Sequence, residues 1–340
     1  MEALAGVTPY AVPRSARPIR WRLDGSEGVP SPRGDLAMRA RDVRQYPRPA
    51  AFEARLARRL GVDPSQVLVT AGADDALDRV CRAYLAPGRS LVLPAPTFEM
   101  IGRYARLCGA DVVQPEWRGG WPCEDVLRVP DPAVIAAVTP NNPTGAVIGA
   151  ETLRSVASAR PDALLLVDLA YGAFADVDVL PTVLQLPAAL AVGSLSKAWS
   201  LPGLRIGWAV GDPAVIAVLR AAGQPYAVST PSLALATAAL EADPGFLERH
   251  IAQVRTERAE LTSLLRAAGF GVPDSQANFV FARVPDARAL FEAMAGHGIA
   301  IRHWPESIAL ADAVRITCPG DASVFAQLRA ALVAVLEIPA

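Results

Sequence analysis

Ala189-Leu190-Ala191-Val192-Gly193-Ser194-Leu195-Ser196-Lys197, with Arg205 following in Pro202-Gly203-Leu204-Arg205-Ile206-Gly207, is the stretch that decides the fold. Its first four residues are a short apolar run, the pattern of a buried strand. Lys197, just past the strand end, is the one lysine in 340 residues, against 32 arginines. Arginine supplies charge and binds carboxylates but offers no reactive amine. Desolvation beyond a strand end and a neighbouring cation both favour the neutral form of an amine. The task that suits such a nitrogen is a Schiff base to an aldehyde. Ser194, Ser196 and Arg205 are the hydroxyl and guanidinium donors that a phosphate monoester requires. The competing reading is a single lysine left on the surface by compositional drift, and its neighbours must decide.

Outward from this stretch, short apolar runs alternate with amphipathic segments. Strands are expected at 67–69, 90–93, 111–113, 134–138, 164–167, 189–192 and 206–210, with helices at 52–60, 74–85 and 97–108 among others. Strands separated by helices of this length imply a largely parallel sheet covered on both faces. Beyond a helix at 255–268 the pattern changes to strands at 279–282, 299–302 and 314–317 and a last helix at 321–336. The expected fold is α/β. A large domain, 31–254, holds a mainly parallel sheet between helices, and 1–30 with 255–340 form a smaller α+β domain. A ligand is expected in the cleft between them.

The residues that carry chemistry fall at strand ends. Thr70-Ala71-Gly72-Ala73-Asp74 turns a strand into a helix, whose free N–H groups suit an anion. Taken alone, Asp74 or Asp75 serves equally well as a helix cap. Asp168 ends the run Leu164 to Val167, and Tyr171 follows three residues later. A buried carboxylate is costly without a partner, and a pyridinium N–H is one; a solvated strand-end aspartate is the ordinary alternative. Asn142, in Asn141-Asn142-Pro143-Thr144-Gly145, places an amide at the sheet edge or merely belongs to a tight turn. Phe98 is either core or a face for a flat ring. Ligands of open parallel sheets bind at the strands' carboxyl ends. The set supplies a Schiff-base lysine, a phosphate cup, an anion for a ring nitrogen, a phenol and an amide for a ring hydroxyl, and a stacking face. Pyridoxal 5′-phosphate needs those groups.

With 33 basic and 34 acidic residues the net charge is −1, so no global field draws the chain to nucleic acid or anionic membranes. Apolar runs stop well short of the roughly 18–20 residues of a membrane span. The opening residues, with Glu2, Pro13 and Arg14, lack the charged-then-apolar order of an export signal. A cytoplasmic location is expected. Cys81, Cys108, Cys123 and Cys318 form no paired motif and read as reduced thiols. His250, His297 and His303 show no metal-ligand spacing, and no metal is expected.

On these residues the chain resembles the fold-type I pyridoxal-phosphate aminotransferases, and among them the histidinol-phosphate aminotransferase branch. The likeness runs from about Gln45 to the last helix. It rests on Tyr46-Pro47, Ala71 to Asp74, Pro96 to Met100, Asn141 to Gly145, Val167 to Tyr171, Ser194 to Gly207, Pro225 to Ser229, Ala277-Asn278-Phe279 and Val314 to Thr317. It implies that Lys197 carries the cofactor. Ala73 and Asp74 are implied to bind the cofactor's phosphate through backbone amides, with Ser194, Ser196 and Arg205 completing the cup. Phe98 is implied to stack on the ring, Asp168 to pair with its nitrogen, and Asn142 and Tyr171 to bond its oxygen. Tyr46 is implied to reach the neighbouring subunit's phosphate, which makes the active unit a homodimer. Arg315 is implied to hold the substrate carboxylate, with Arg302 near the substrate's distal end.

The implied activity moves an amino group between L-histidinol phosphate and 2-oxoglutarate in two half-reactions. Other readings stay open: decarboxylation like that of the threonine-phosphate decarboxylases, an aromatic or specialised donor whose pocket Trp21 or Trp304 lines, and a cofactor-binding regulatory module without turnover. The chain departs from the branch in two places. Gly25-Ser26-Glu27-Gly28 stands where Asn-Glu-Asn-Pro is usual, and Leu169 replaces an acidic residue after the aspartate.

Overall fold

The computed structural model describes residues 13–28, 43–117, 119–243 and 245–337. Glu2, read above for an export signal, and the domain boundary expected at 30/31 lie outside the described residues. In chain order the strands are β1 Trp21–Arg22, β2 Val67–Thr70, β3 Ser90–Val92, β4 Asp111–Val113, β5 Val134–Val138, β6 Leu164–Asp168, β7 Ala189–Ser194, β8 Gly207–Gly211, β9 Phe279–Arg283, β10 Ile299–Ala300, β11 Arg302–His303 and β12 Ala313–Thr317. β2 to β8 form one sheet in the order β2-β8-β7-β6-β5-β3-β4. Pairings from β7 across to β4 are parallel, whereas β8 runs antiparallel to both β7 and β2. β2 therefore points the same way as β7, and the carboxyl ends of the parallel strands share one edge.

β5 and β6 are buried along their whole length. Ile135, Ala137, Leu165 and Val167 pack on one face with Phe52, Leu56, Leu153 and Val156. Val134, Ala136, Leu164 and Leu166 pack on the other with Leu77, Val80, Ile101 and Leu219. Strands with apolar partners on both faces need no polar alternation, which is why they read as continuous apolar runs. Helices Ala50–Leu60 and Ala150–Ala159 cover the first face, and Gly72–Tyr84, Glu99–Leu107 and Pro213–Ala222 the second.

A second sheet, β11-β12-β9, is antiparallel, and β1 pairs in parallel with β10. Val280, Ala282, Val314 and Ile316 pack on Leu261, Met294 and Leu328, one from each of the helices Phe246–Ala267, Ala287–Gly296 and Ala322–Leu336. Leu23, next to β1, joins the same cluster. The single strand expected at 299–302 divides at Ile301, because β10 pairs with β1 and β11 with β12. The helix expected at 255–268 begins at Phe246. Its buried face continues back through Val254 to His250, where a histidine interrupts the apolar pattern in the sequence. This helix runs unbroken through the boundary expected at 254/255. No helix among the described residues is long and apolar enough to cross a membrane. None of their His, Cys, Asp and Glu side chains cluster in a way that holds a metal ion.

Candidate active site

The shared carboxyl edge of the sheet gathers most of the expected residues. β2 ends at Thr70, and the helix Gly72–Tyr84 opens with Ala73 and Asp74 in its first turn. β8 begins against this turn: a Cβ on Gly207 would stand 2.3 Å from the Gly72 carbonyl carbon and 2.4 Å from Ala73 N. Backbone meets backbone there, and only glycine fits. Arg205, with φ 50°, reaches over the same turn, and its Nη2 donates to Asp74 Oδ2 at 3.2 Å. Ser194, register partner of Gly207, accepts from Ser196 N at 3.0 Å through its Oγ. A helix N-terminus, a guanidinium and the serine at the end of β7 thus come together, a donor set that fits a phosphate monoester. Asp75, not Asp74, serves the helix start, accepting from Ala71 N at 2.9 Å and pairing with Arg79. Gly207→Ala is expected to destabilise the fold by about 3 kcal/mol and to weaken cofactor binding at least tenfold. Thermal denaturation and a cofactor titration measure the two effects.

Asp168, at the end of β6, is 4% exposed. Burial pushes its pKa up to about 6; the Ala170 N–H at 2.9 Å opposes the rise, Asp74 adds to it and Lys197 lowers it. A cationic N–H held against this carboxylate would lower its pKa again. Lys197 Nζ donates to Gly25 O at 3.1 Å and lies 5.5 Å from the centre of the Tyr171 ring. Tyr171 packs edge-on against Phe279. Leu169, in place of the branch's acid, is buried in the apolar cluster on one face of the sheet.

A cavity of about 680 Å³ has Phe98, Asn142, Trp304, Arg302 and Arg315 in its wall. Lys197 does not line it. Arg302 and Arg315 are direct cross-strand partners on β11 and β12, and each is 6% exposed. Arg315 Nη1 donates to Asn142 Oδ1 at 2.6 Å and Nη2 to Asp24 O at 2.8 Å, while its Nε is buried without a partner. The guanidinium of Arg315 lies over Phe279, and that of Arg302 over Trp304. Like charges placed opposite each other in a sheet repel, and the two oxygens that Arg315 meets are uncharged. An anion in the cavity would meet the guanidinium of Arg315, whose Nε is buried without a partner.

Of the two tryptophans considered for a pocket wall, Trp304 lines the cavity and Trp21 does not; Arg20 lies over the Trp21 ring. Tyr46 stands apart from the gathering, 72% exposed and stacked on Tyr226 at 4.2 Å. Reasoning from the sequence missed the carbonyls of Asp24 and Gly25, which occupy Arg315 and Lys197, because backbone atoms leave no mark in a residue pattern.

A family model described as aminotransferase class I and II matches residues 14–332. The chain is 30% identical to histidinol-phosphate aminotransferase 1 of Trichormus variabilis, over 94% of this chain and 93% of that protein. It is 36% identical to the histidinol-phosphate aminotransferase of Xanthomonas euvesicatoria pv. vesicatoria, over 81% and 80%. The crystal structure of the histidinol-phosphate aminotransferase from Sinorhizobium meliloti in complex with pyridoxal-5′-phosphate matches the fold with a TM-score of 0.83. It is 25% identical, over 94% of this chain and 92% of that one.

Proposed function

The chain belongs to the class I and II aminotransferases, in their histidinol-phosphate branch, and is a pyridoxal-phosphate enzyme of fold type I; from this premise we propose that it moves the amino group of L-histidinol phosphate to 2-oxoglutarate. The observation that carries the donor is the buried, opposed pair Arg302 and Arg315 in the cavity wall. Histidinol phosphate bears a phosphate ester where an amino acid bears its carboxylate, and two adjacent guanidiniums suit a dianion. In the second half-reaction the same pair receives the two carboxylates of 2-oxoglutarate.

Bound pyridoxal phosphate supplies an aldehyde that bonds the donor nitrogen and a ring that draws electrons from the α-carbon. Lys197 holds the cofactor between turnovers and, once its nitrogen is free, carries the proton away from the α-carbon. Asp168 keeps the ring nitrogen protonated, and Asn142 and Tyr171 steady the ring oxygen. Phe98 supports the ring face. Ala73 and Asp74 amides with Ser194, Ser196 and Arg205 hold the phosphate. Arg315 fixes the donor's anionic group so that the C–H bond is the one presented to Lys197. The exposed Tyr46, stacked on Tyr226, supports a homodimer in which Tyr46 completes the neighbour's phosphate site. A large domain at 31–254, a small one from 1–30 and 255–340, and a cytoplasmic role in histidine biosynthesis belong to the same proposal.

A single-turnover panel of histidinol phosphate, phenylalanine, tyrosine and phosphothreonine, read from the cofactor's absorption band, tests the donor. Histidinol phosphate reacts fastest, and Arg302→Ala slows it roughly 10- to 100-fold. A faster unphosphorylated aromatic donor that ignores Arg302→Ala would reassign the donor. Carbon dioxide released from phosphothreonine without amino transfer would make the enzyme a decarboxylase.

A further inference from the structure

We propose that Thr317 and Asn278 are positioning residues for amino transfer, clamping the segment Leu23 to Ser26 so that its carbonyls hold the free amine of Lys197 and one edge of Arg315. The inference rests on the roles given above to Lys197 and Arg315.

Four successive carbonyls of this segment are each taken by a different residue. Thr317 N donates to Leu23 O at 3.0 Å. Arg315 Nη2 donates to Asp24 O at 2.8 Å, Lys197 Nζ to Gly25 O at 3.1 Å and Asn278 Nδ2 to Ser26 O at 3.4 Å. Ser26 N in turn donates to Thr317 Oγ1 at 3.1 Å, so Thr317 grips the segment at both ends. Ser26 has φ 53°, a strained conformation for a residue with a side chain, and it persists only where the surroundings hold it. Its hydroxyl is buried without a partner, so the clamp grips the backbone at this position and not the side chain.

Thr317 and Asn278 are both 0% exposed, and neither lines the cavity. Thr317 lies two residues beyond Arg315 on β12, and the Asn278 carbonyl accepts from Cys318 N at 2.9 Å. The strand that presents Arg315 to the substrate therefore also fastens the segment that meets Lys197. The phosphate cup is built from other strands, β2, β7 and β8. Loosening Leu23 to Ser26 frees the lysine amine and Arg315 together while leaving the cup in place.

The variants are Thr317→Val, which keeps the shape but removes the acceptor, Thr317→Ser, which restores it, and Asn278→Ala. Each full-length protein is loaded with pyridoxamine 5′-phosphate, which leaves Lys197 unbonded, and treated with trinitrobenzenesulfonate. Because Lys197 is the one lysine, peptide mapping separates its modification from that of the terminal amine. Thr317→Val and Asn278→Ala are expected to speed modification of Lys197 about fivefold, to lower kcat about tenfold and to raise donor KM. Cofactor affinity stays within twofold of the parent, and Thr317→Ser behaves like the parent. Unchanged labelling and kcat in folded Thr317→Val and Asn278→Ala would overturn the proposal, as would a loss of cofactor affinity as large as the loss of kcat. If Thr317→Val does not fold, Asn278→Ala carries the same readouts. A protein that transfers no amine refutes the aminotransferase reading separately, and labelling of Lys197 in the cofactor-free chain still decides whether the clamp holds it.

Discussion

Lys197→Ala lowers both half-reactions by roughly 10⁴-fold or more, while the chain stays folded. No other side chain in the protein can replace the lost amine, since every other basic side chain but the histidines is a guanidinium. Lys197→Arg is therefore expected to be as inactive as the alanine variant. Stability changes modestly: the amine makes one hydrogen bond, to Gly25 O, one distant ring contact with Tyr171 and an attraction to Asp168, worth about 1–3 kcal/mol. Borohydride treatment of the loaded parent fixes the cofactor to a single peptide containing Lys197, and the variant yields none. Half-reaction rates within tenfold of the parent would mean that another group does the chemistry.

Asp168→Asn separates stability from activity. In the cofactor-free chain the Asp168 carboxyl rises from an ordinary 3.8 to about 6, chiefly through burial. The folded state therefore holds the proton more tightly than the unfolded one. The stabilising contribution of the protonated acid is complete below about pH 4 and is lost as the pH rises through about 6. The loss amounts to about 3 kcal/mol. Asparagine does not ionise, so the cofactor-free variant is expected to be more stable than the parent above pH 6, and equal to it near pH 4. With the cofactor bound the order reverses for function: nothing keeps the ring nitrogen protonated, and turnover falls roughly 10²- to 10³-fold. Denaturant unfolding from pH 4 to 8, with and without cofactor, measures the first effect and single-turnover kinetics the second. A cofactor-free variant that is less stable than the parent at pH 8 contradicts the account of Asp168.

What could be read from the sequence follows from burial. β5 and β6 were legible because apolar packing on both faces leaves no polar interruption. The early turns of the helix Phe246–Ala267 were not, because buried His250, set between Phe174 and Phe246, reads as a surface residue. Asp168, Asn142 and Lys197 could be grouped in advance because parallel strands bring their carboxyl ends to one edge. The burial of Arg302 was not legible, since its place opposite Arg315 and beside Trp304 shows only once β11 pairs with β12. Gly207 was visible as part of a motif, but its steric role depends on a helix start far away in the chain. The contact of Tyr46 with Tyr226, 180 residues later in the chain, leaves no mark in the local sequence pattern.

β8 is inserted between two strands that the ribosome makes earlier. Among the described residues β2 has β8 as its one strand neighbour, so residues 67–70 cannot join the sheet until residues 207–211 have emerged. Until then the turn at Gly72 and Ala73 has neither Arg205 above it nor Gly207 against it, and β7 keeps an open edge. The nascent chain thus carries unpaired strand edges through much of its synthesis, the condition under which growing proteins aggregate or need chaperones. Insertion of this late strand closes the sheet and completes the anion cradle in the same event, so the protein becomes competent to take up its cofactor only when its largest sheet is whole.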